Sequence, residues 1–366
     1  MARKTKRGDG VVLPSALIGN GGAEAASSSS VDRGLFVVGA LVALAVGAAV
    51  GWIARGGEVR VENTVQSGLA RRLITNEYKF IEPLLGCETE PQETRAIVSL
   101  KEEIGRFVAQ EANAGRVTRM SIYFSDLKTG RWTDYNERER YAIGSFNKLP
   151  ELFAVLKLAR ENRPLLDRRL RVPSRLADAT GLSFPPSQSL QPGAEYTVDA
   201  LLEAMITRSD NDAFFLLAET FGKKPFDEVY RDLGQWEPPV ERDNDSVTVA
   251  AYPDFFRTLY NGTYLGRKLS EKALEILSKS EFKIGLVAGV PPGTLVAHKF
   301  AERGSVPPHG GDELHDCGIV YFPDHPYVLC VMSHGPNRLK MPLSIAGVSR
   351  VVYGWVQQHV SVLTSD

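Results

Sequence analysis

The chain has 366 residues, with 43 Lys plus Arg against 44 Asp plus Glu, a formal charge of −1. That balance argues against a nucleic-acid partner, and 43% hydrophobic with 24% charged residues exclude disorder of the whole chain. Three scattered cysteines exclude a disulfide-framework miniprotein and a four-cysteine zinc site, and the slightly negative mean hydropathy excludes a polytopic membrane protein. Residues 1–34 carry Arg3, Lys4, Lys6 and Arg7 and then GGAEAASSSS, a composition that buries no core and reads as a disordered tail. Residues 35–54, LFVVGALVALAVGAAVGWIA, contain no charge and as a helix span about 30 Å, the thickness of a bilayer's hydrocarbon core. The run is longer than a signal-peptide core and no small-residue cleavage site follows it, so it is expected to be an uncleaved transmembrane helix with the lipid bilayer as its partner. Positive charges flank both ends. The expectation is an N-terminus inside and residues 94–366 outside the cytoplasmic membrane, and Gly47 and Gly51 offer a weak helix-dimer contact.

Residues 55–93 read as a juxtamembrane linker with one short helix. From 94 to 114 the spacing of Ile97, Leu100, Ile104 and Val108 predicts a helix. Alternating residues at 120–126 and 131–135 predict a hairpin turned by Lys128-Thr129-Gly130. Helices are expected at 145–162, at 198–207 behind a Thr197 cap with Asp199 in the first turn, and at 213–221, 253–260 and 270–280. A strand-like run covers 294–300, and two further strands at 316–322 and 327–333 flank Pro-Asp-His-Pro. A final amphipathic helix covers 342–360, and no internal repeat appears. Strands at both ends of a helical middle indicate an α+β domain with one antiparallel sheet.

Ser145-Phe146-Asn147-Lys148 is an S-x-x-K at a helix start, where the i, i+3 spacing puts a hydroxyl and an amine on one face. A lysine in an apolar pocket, here supplied by Phe146, Leu149, Leu152 and Phe153, loses its proton and serves as a base. Ser125/Lys128 and Ser280/Lys283 share the pattern, so S-x-x-K alone decides nothing. Its company does: Ser209-Asp210-Asn211 follows at a helix end, and His298-Lys299-Phe300-Ala301 ends a strand. The order S-x-x-K, S-D-N, K-x-[GA] resembles class A β-lactamases and penicillin-binding peptidases over roughly residues 94–362. LQPGAEYTVDALLEAMITRSDNDA and DCGIVYFPDHPYVLCVM are similar to family sequence beyond the motifs.

The resemblance implies a five-stranded antiparallel sheet flanked by helices, an all-helical lobe, and an active site between them that needs no cofactor and no metal. It implies Ser145 as the acylated nucleophile, Lys148 as its base, Ser209 as proton relay, Lys299 as electrostatic anchor and Asn211 as a donor to the substrate amide carbonyl. The oxyanion hole would combine the backbone N–H groups of Ser145 and Glu302. The implied activity is hydrolysis of β-lactams or peptidoglycan stem peptides through an acyl-enzyme. The alternative is a non-catalytic binding module of the same fold. Two departures stand out. Phe300 and Ala301 occupy positions where the family has a hydroxyl and glycine, which alters the site for the substrate carboxylate. Trp236-Glu237-Pro238 is similar to the stretch carrying the family's deacylation base, but it continues differently, and Glu237 reads rather as a solvated loop carboxylate.

Lys128-Thr129-Gly130, the one literal K-T-G, precedes the nucleophile and reads as a turn. His309, Asp312, Glu313, His315 and Asp316 lack metal-ligand spacing and read as a solvated loop. His298 is expected on the opposite sheet face from Lys299. Cys317 and Cys330 read as buried small hydrophobes, with a cross-strand disulfide as the alternative; Cys87 is left unpaired.

Overall fold

The computed structural model describes residues 71–72, 78–82, 84–86, 97–174, 182–233, 246–304 and 310–364. The chain divides into units Met1–Thr64 and Val65–Asp366, and all described residues belong to the second. The apolar stretch 35–54, with Gly47 and Gly51, therefore lies outside the described residues, as do Cys87, Glu237 and His309. Among the described residues no helix is long and apolar enough to cross a membrane.

The chain enters through 78–82, whose backbone N–H groups at Lys79, Phe80 and Ile81 all donate to the Glu271 carboxylate. Arg71–Arg72 and Leu84–Gly86 pair as a short ladder, and the linker helix expected in this region does not occur among its described residues. Helix α1 (Val98–Asn113) follows, then strands β1 (Arg119–Asp126) and β2 (Trp132–Tyr135) and a short strand β3 (Arg140–Ala142). The β1–β2 turn is held by Asp126 Oδ1, which accepts from Thr129 N at 2.6 Å, while Gly130 takes φ 74°. Lys128-Thr129-Gly130 is a turn, as its residues dictate.

A 3₁₀ turn (Gly144–Asn147) leads into α2 (Lys148–Glu161). Strands β4 (Arg169–Arg171) and β5 (Glu195–Thr197) pair across a long connection. Helix α3 (Val198–Thr207) starts where the Thr197 hydroxyl accepts from Ala200 N, the cap expected from sequence. Helices α4 (Asn211–Phe221) and α5 (Lys223–Asp232) complete this part; α5 was not expected, because Gly222 at φ 75° separates it from α4 by a single residue. Strand β6 (Ser246–Thr248) pairs with β3, and helices α6 (Pro253–Asn261) and α7 (Arg267–Ser278) lead to strands β7 (Val296–Arg303), β8 (Asp312–Val320) and β9 (Tyr327–Gly335) and to helix α8 (Met341–Thr364).

The main sheet has five antiparallel strands in the order β2-β1-β9-β8-β7, as the resemblance implied. Alternation along each strand gives it two faces. One face, with Tyr123, Ala301, Cys317 and Ile319, packs on a core that contains Phe146, Leu152 and Leu201 from the helices. The other, with Phe124, Phe300 and Leu314, packs on Ile97, Leu100, Val352 and Trp355 of the first and last helices. Strand β7 is an edge strand, so one side of its backbone is left for other partners. Cys317 and Cys330 are register partners in β8 and β9 and form a disulfide. This corrects the reading of two free buried thiols in favour of the alternative: the register across the 321–326 turn sets them opposite each other.

Candidate active site

The 3₁₀ turn before α2 brings Ser145 against the edge of β7. Gly144 makes this approach: at φ 48° it takes a conformation that favours glycine, and a Cβ there would lie 2.9 Å from the backbone oxygen of Glu302. Two side chains of β8 brace the same turn. Glu313 accepts from Ala142 N at 2.7 Å, and His315 Nε2 lies 3.1 Å from Ala142 O. The solvated loop expected around Asp312–Asp316 is instead strand, with Glu313, His315 and Asp316 buried. Among the described residues no cluster could hold a metal ion.

Lys148 follows Ser145 by one helical turn and is 2% exposed. Its Nζ lies 3.2 Å from Ser145 Oγ, 2.6 Å from Ser209 O, 3.1 Å from Ser209 Oγ and 2.7 Å from Asn211 Oδ1. Burial pushes the Lys148 amine down to about 7, against the opposing charges of Asp210 and Glu302. Phe146, Leu149, Leu152 and Phe153 are all fully buried around α2, and Phe146 stacks on Tyr252 at 3.9 Å between centroids.

Each residue of Ser209-Asp210-Asn211 has a separate task. Asp210 caps α4, its Oδ1 accepting from Ala213 N at 2.8 Å. Ser209 and Asn211 on either side then turn toward Lys148. Ser209 takes φ 55°, a conformation costly for a residue with a Cβ, held here by the lysine on its carbonyl.

Lys299 approaches from the other side. It is fully buried, and its Nζ donates to Ser209 Oγ at 2.9 Å and to Phe300 O at 2.8 Å. Burial and the nearby Lys148 hold its amine well below the ordinary lysine range. Ser145 Oγ, Lys148 Nζ, Ser209 Oγ and Lys299 Nζ thus form one continuous line. His298, the preceding residue, faces away as expected and pairs with Asp316 at 2.7 Å.

Phe300 differs from expectation. Its ring does not replace a hydroxyl in the open site; it is buried on the far face, stacked on Phe282 at 4.2 Å. Ala301 is fully buried beside the nucleophile turn. The Glu302 carboxylate accepts from the backbone of Ser183 and Phe184 and pairs with Arg338. Sequence reasoning missed Gly144, Ser183, Phe184 and Arg338. A glycine directly before S-x-x-K was the signal available for the first; the others come from distant segments without a motif.

A family model described as "Beta-lactamase enzyme family" matches residues 99–356. A β-lactamase of Streptomyces fradiae is 28% identical over 232 residues, covering 58% of this chain and 72% of that protein. A β-lactamase of Streptomyces albus G is 28% identical over 172 residues, or 44% of this chain and 54% of that protein. Among solved structures, PBP-A is similar with a TM-score of 0.61 at 23% identity, covering 74% of this chain and all of its own, a likeness of fold. An ancestral class A β-lactamase is similar with a TM-score of 0.59 at 26% identity, covering 69% of this chain and 99% of its own.

Proposed function

The chain belongs to the β-lactamase enzyme family, and from that footing we propose that it is a membrane-anchored serine hydrolase that opens β-lactams or peptidoglycan stem peptides through an acyl-enzyme on Ser145. The observation that carries this reading is the sorting of partners around Lys148. Its two shortest contacts, Ser209 O and Asn211 Oδ1, can only accept, whereas Ser145 Oγ and Ser209 Oγ can donate. A neutral amine that gives its two protons to the first pair keeps its lone pair for a hydroxyl proton.

In the reaction Lys148 takes the Ser145 proton as Oγ attacks the amide carbonyl. The oxyanion is met by the N–H groups of Ser145 and Glu302. Ser209, between the two amines, passes a proton to the leaving nitrogen, and Lys299 keeps that hydroxyl oriented. Asn211 positions the acyl amide. Deacylation needs an activated water, and Glu237 is the low-ranked candidate for its base.

Intact-protein mass spectrometry over time after addition of a penicillin tests the reading. A persistent adduct on Ser145 identifies a penicillin-binding peptidase, and a transient one a β-lactamase. Ser145→Ala is expected to abolish the adduct with an unchanged Tm; a folded wild type that never forms one overturns acylation. The second reading, a non-catalytic binding module, rests on one observation, that Phe300 turns to the far face and leaves no hydroxyl beside Lys299 in the strand, and the same measurement separates the two.

A further inference from the structure

His315 is buried in β8, 1% exposed, and no step of the acylation described above uses it. Its register partner on β7 is Ala301, so the two side chains share a face of the sheet. Ala301 Cβ lies 3.6 Å from where a Cβ on Gly144 would stand. One cross-strand row therefore carries both the wall against which the nucleophile turn packs and the imidazole beside it. The ring meets Tyr141 edge-on at 5.3 Å and Phe146 at 5.6 Å, which places it between residues on either side of Gly144.

The bonds of the ring fix its tautomer. Ser333 N donates to His315 Nδ1 at 3.3 Å, and because a backbone amide can only donate, Nδ1 is an acceptor. The ring proton then sits on Nε2, 3.1 Å from Ala142 O, which can only accept. Glu313 Oε2 stands 3.6 Å from the same Nε2 and accepts from Ala142 N at 2.7 Å, while Arg119 holds the other carboxylate oxygen at 3.3 Å. The peptide groups on both sides of the Ala142 Cα are thus clamped to β8. Only Ile143 and Gly144 separate this clamp from Ser145.

We propose that His315 is a positioning residue for acylation: its Nε2–H, bonded to Ala142 O, seats the turn so that Ser145 keeps its place between Lys148 and strand β7. Ser209, Lys299 and Asn211 are carried by other elements. A turn that drifts loses its alignment with Ser209 and Lys299, and the Ser145 N–H leaves its partner Glu302 at the oxyanion, while Asn211 still holds the acyl donor. The loss therefore falls on the rate of acylation and spares the affinity for the donor. The role in acylation rests on the acyl-enzyme reading given above; the tautomer and the clamp do not.

The experiment uses the full chain and two variants, His315→Gln and His315→Asn. The amide nitrogen of glutamine reaches the place of Nε2 and can donate to Ala142 O, whereas asparagine ends at the place of Nδ1 and cannot. Acylation of Ser145 by a fluorescent penicillin is followed over a range of concentrations. His315→Asn is expected to lower the maximal acylation rate constant by about tenfold and to change the half-saturating concentration by less than about twofold. His315→Gln is expected to stay within about threefold of the wild type. An equal loss in both variants, or no loss in a folded His315→Asn, overturns the proposal. Nitrogen NMR of the wild type, labelled at its histidine rings, needs neither variant to fold: the Nε2–H tautomer is expected for His315, and the Nδ1–H tautomer overturns the clamp. A wild type that the penicillin never acylates overturns the hydrolase reading and this role with it, while the NMR still decides whether the clamp exists.

Discussion

Lys148 has four oxygen atoms within hydrogen-bond distance, and a charged ammonium has only three protons to offer them. Burial favours the neutral form, and the contact set suits it. As pH rises through about 7 the amine loses its proton and becomes competent as a base. The acylation rate constant of Ser145 is therefore expected to climb about tenfold per pH unit below 7 and to level above 8. A rate flat between pH 5 and 9 removes Lys148 as the base. Glu151, one turn further along α2, behaves in the opposite sense. It is 2% exposed, and burial pushes its carboxyl up from 4.5 to about 7. Between those values the unfolded chain has lost the proton that the folded chain keeps, so stability falls as pH rises across that window and stays low above it. Glu151→Gln is expected to raise stability by about 1–3 kcal/mol at pH 8 and by little at pH 4. Urea denaturation at both pH values measures it, and equal gains at the two contradict the assignment.

Among the elements, the turn before α2 and strand β7 carry the site, and they differ in how far the sequence revealed them. Ser145 and Lys148 were legible because a helix fixes i and i+3 on one face. Ser209 and Asn211 were legible by order, and Asp210 between them follows the ordinary chemistry of a helix cap. Phe300 was misplaced because a motif position was read without its strand alternation: with Lys299 turned toward Ser209, the next side chain turns to the other face. Glu302 was legible only as a backbone donor, since two of its carboxylate's partners, Ser183 and Phe184, lie in a distant connection without periodicity and the third, Arg338, follows 36 residues later without a motif. Gly144 was passed over altogether, although the turn depends on it. Gly144→Ala places a Cβ at φ 48° against the Glu302 carbonyl, expected to cost about 1–2 kcal/mol of stability. Acylation of Ser145 is expected to slow by about tenfold or more, because the nucleophile withdraws from β7. A variant with wild-type Tm and rate shows that the turn does not need glycine.

On the scale of the whole molecule, one antiparallel sheet and most of the helices were read from periodicity and the five strands from the family resemblance, whereas short strands such as β3, β4 and β6 were too brief to show a period. The proposed anchor at 35–54 belongs to this scale. Deleting 1–54 is expected to move the protein from the membrane fraction to the soluble fraction with its acylation rate unaltered. A full-length chain that is washed off membranes by carbonate at high pH has no such anchor.

The contact between the first and last helices has a mechanical consequence. Trp355 Nε1 in α8 donates to Ser99 Oγ in the first turn of α1 at 2.9 Å, on the sheet face opposite Lys299. Four residues further on, His359 leaves helical geometry at φ −122° and ψ 23°, so α8 kinks before it ends at Thr364. A pull on the chain before α1 enters through a seam of Ile97, Leu100, Val352 and Trp355 and is shared with α8. Phe146 of the nucleophile turn packs in the core on the other face, outside that seam, so drag on the chain upstream is expected to leave the acylation rate of Ser145 unaltered.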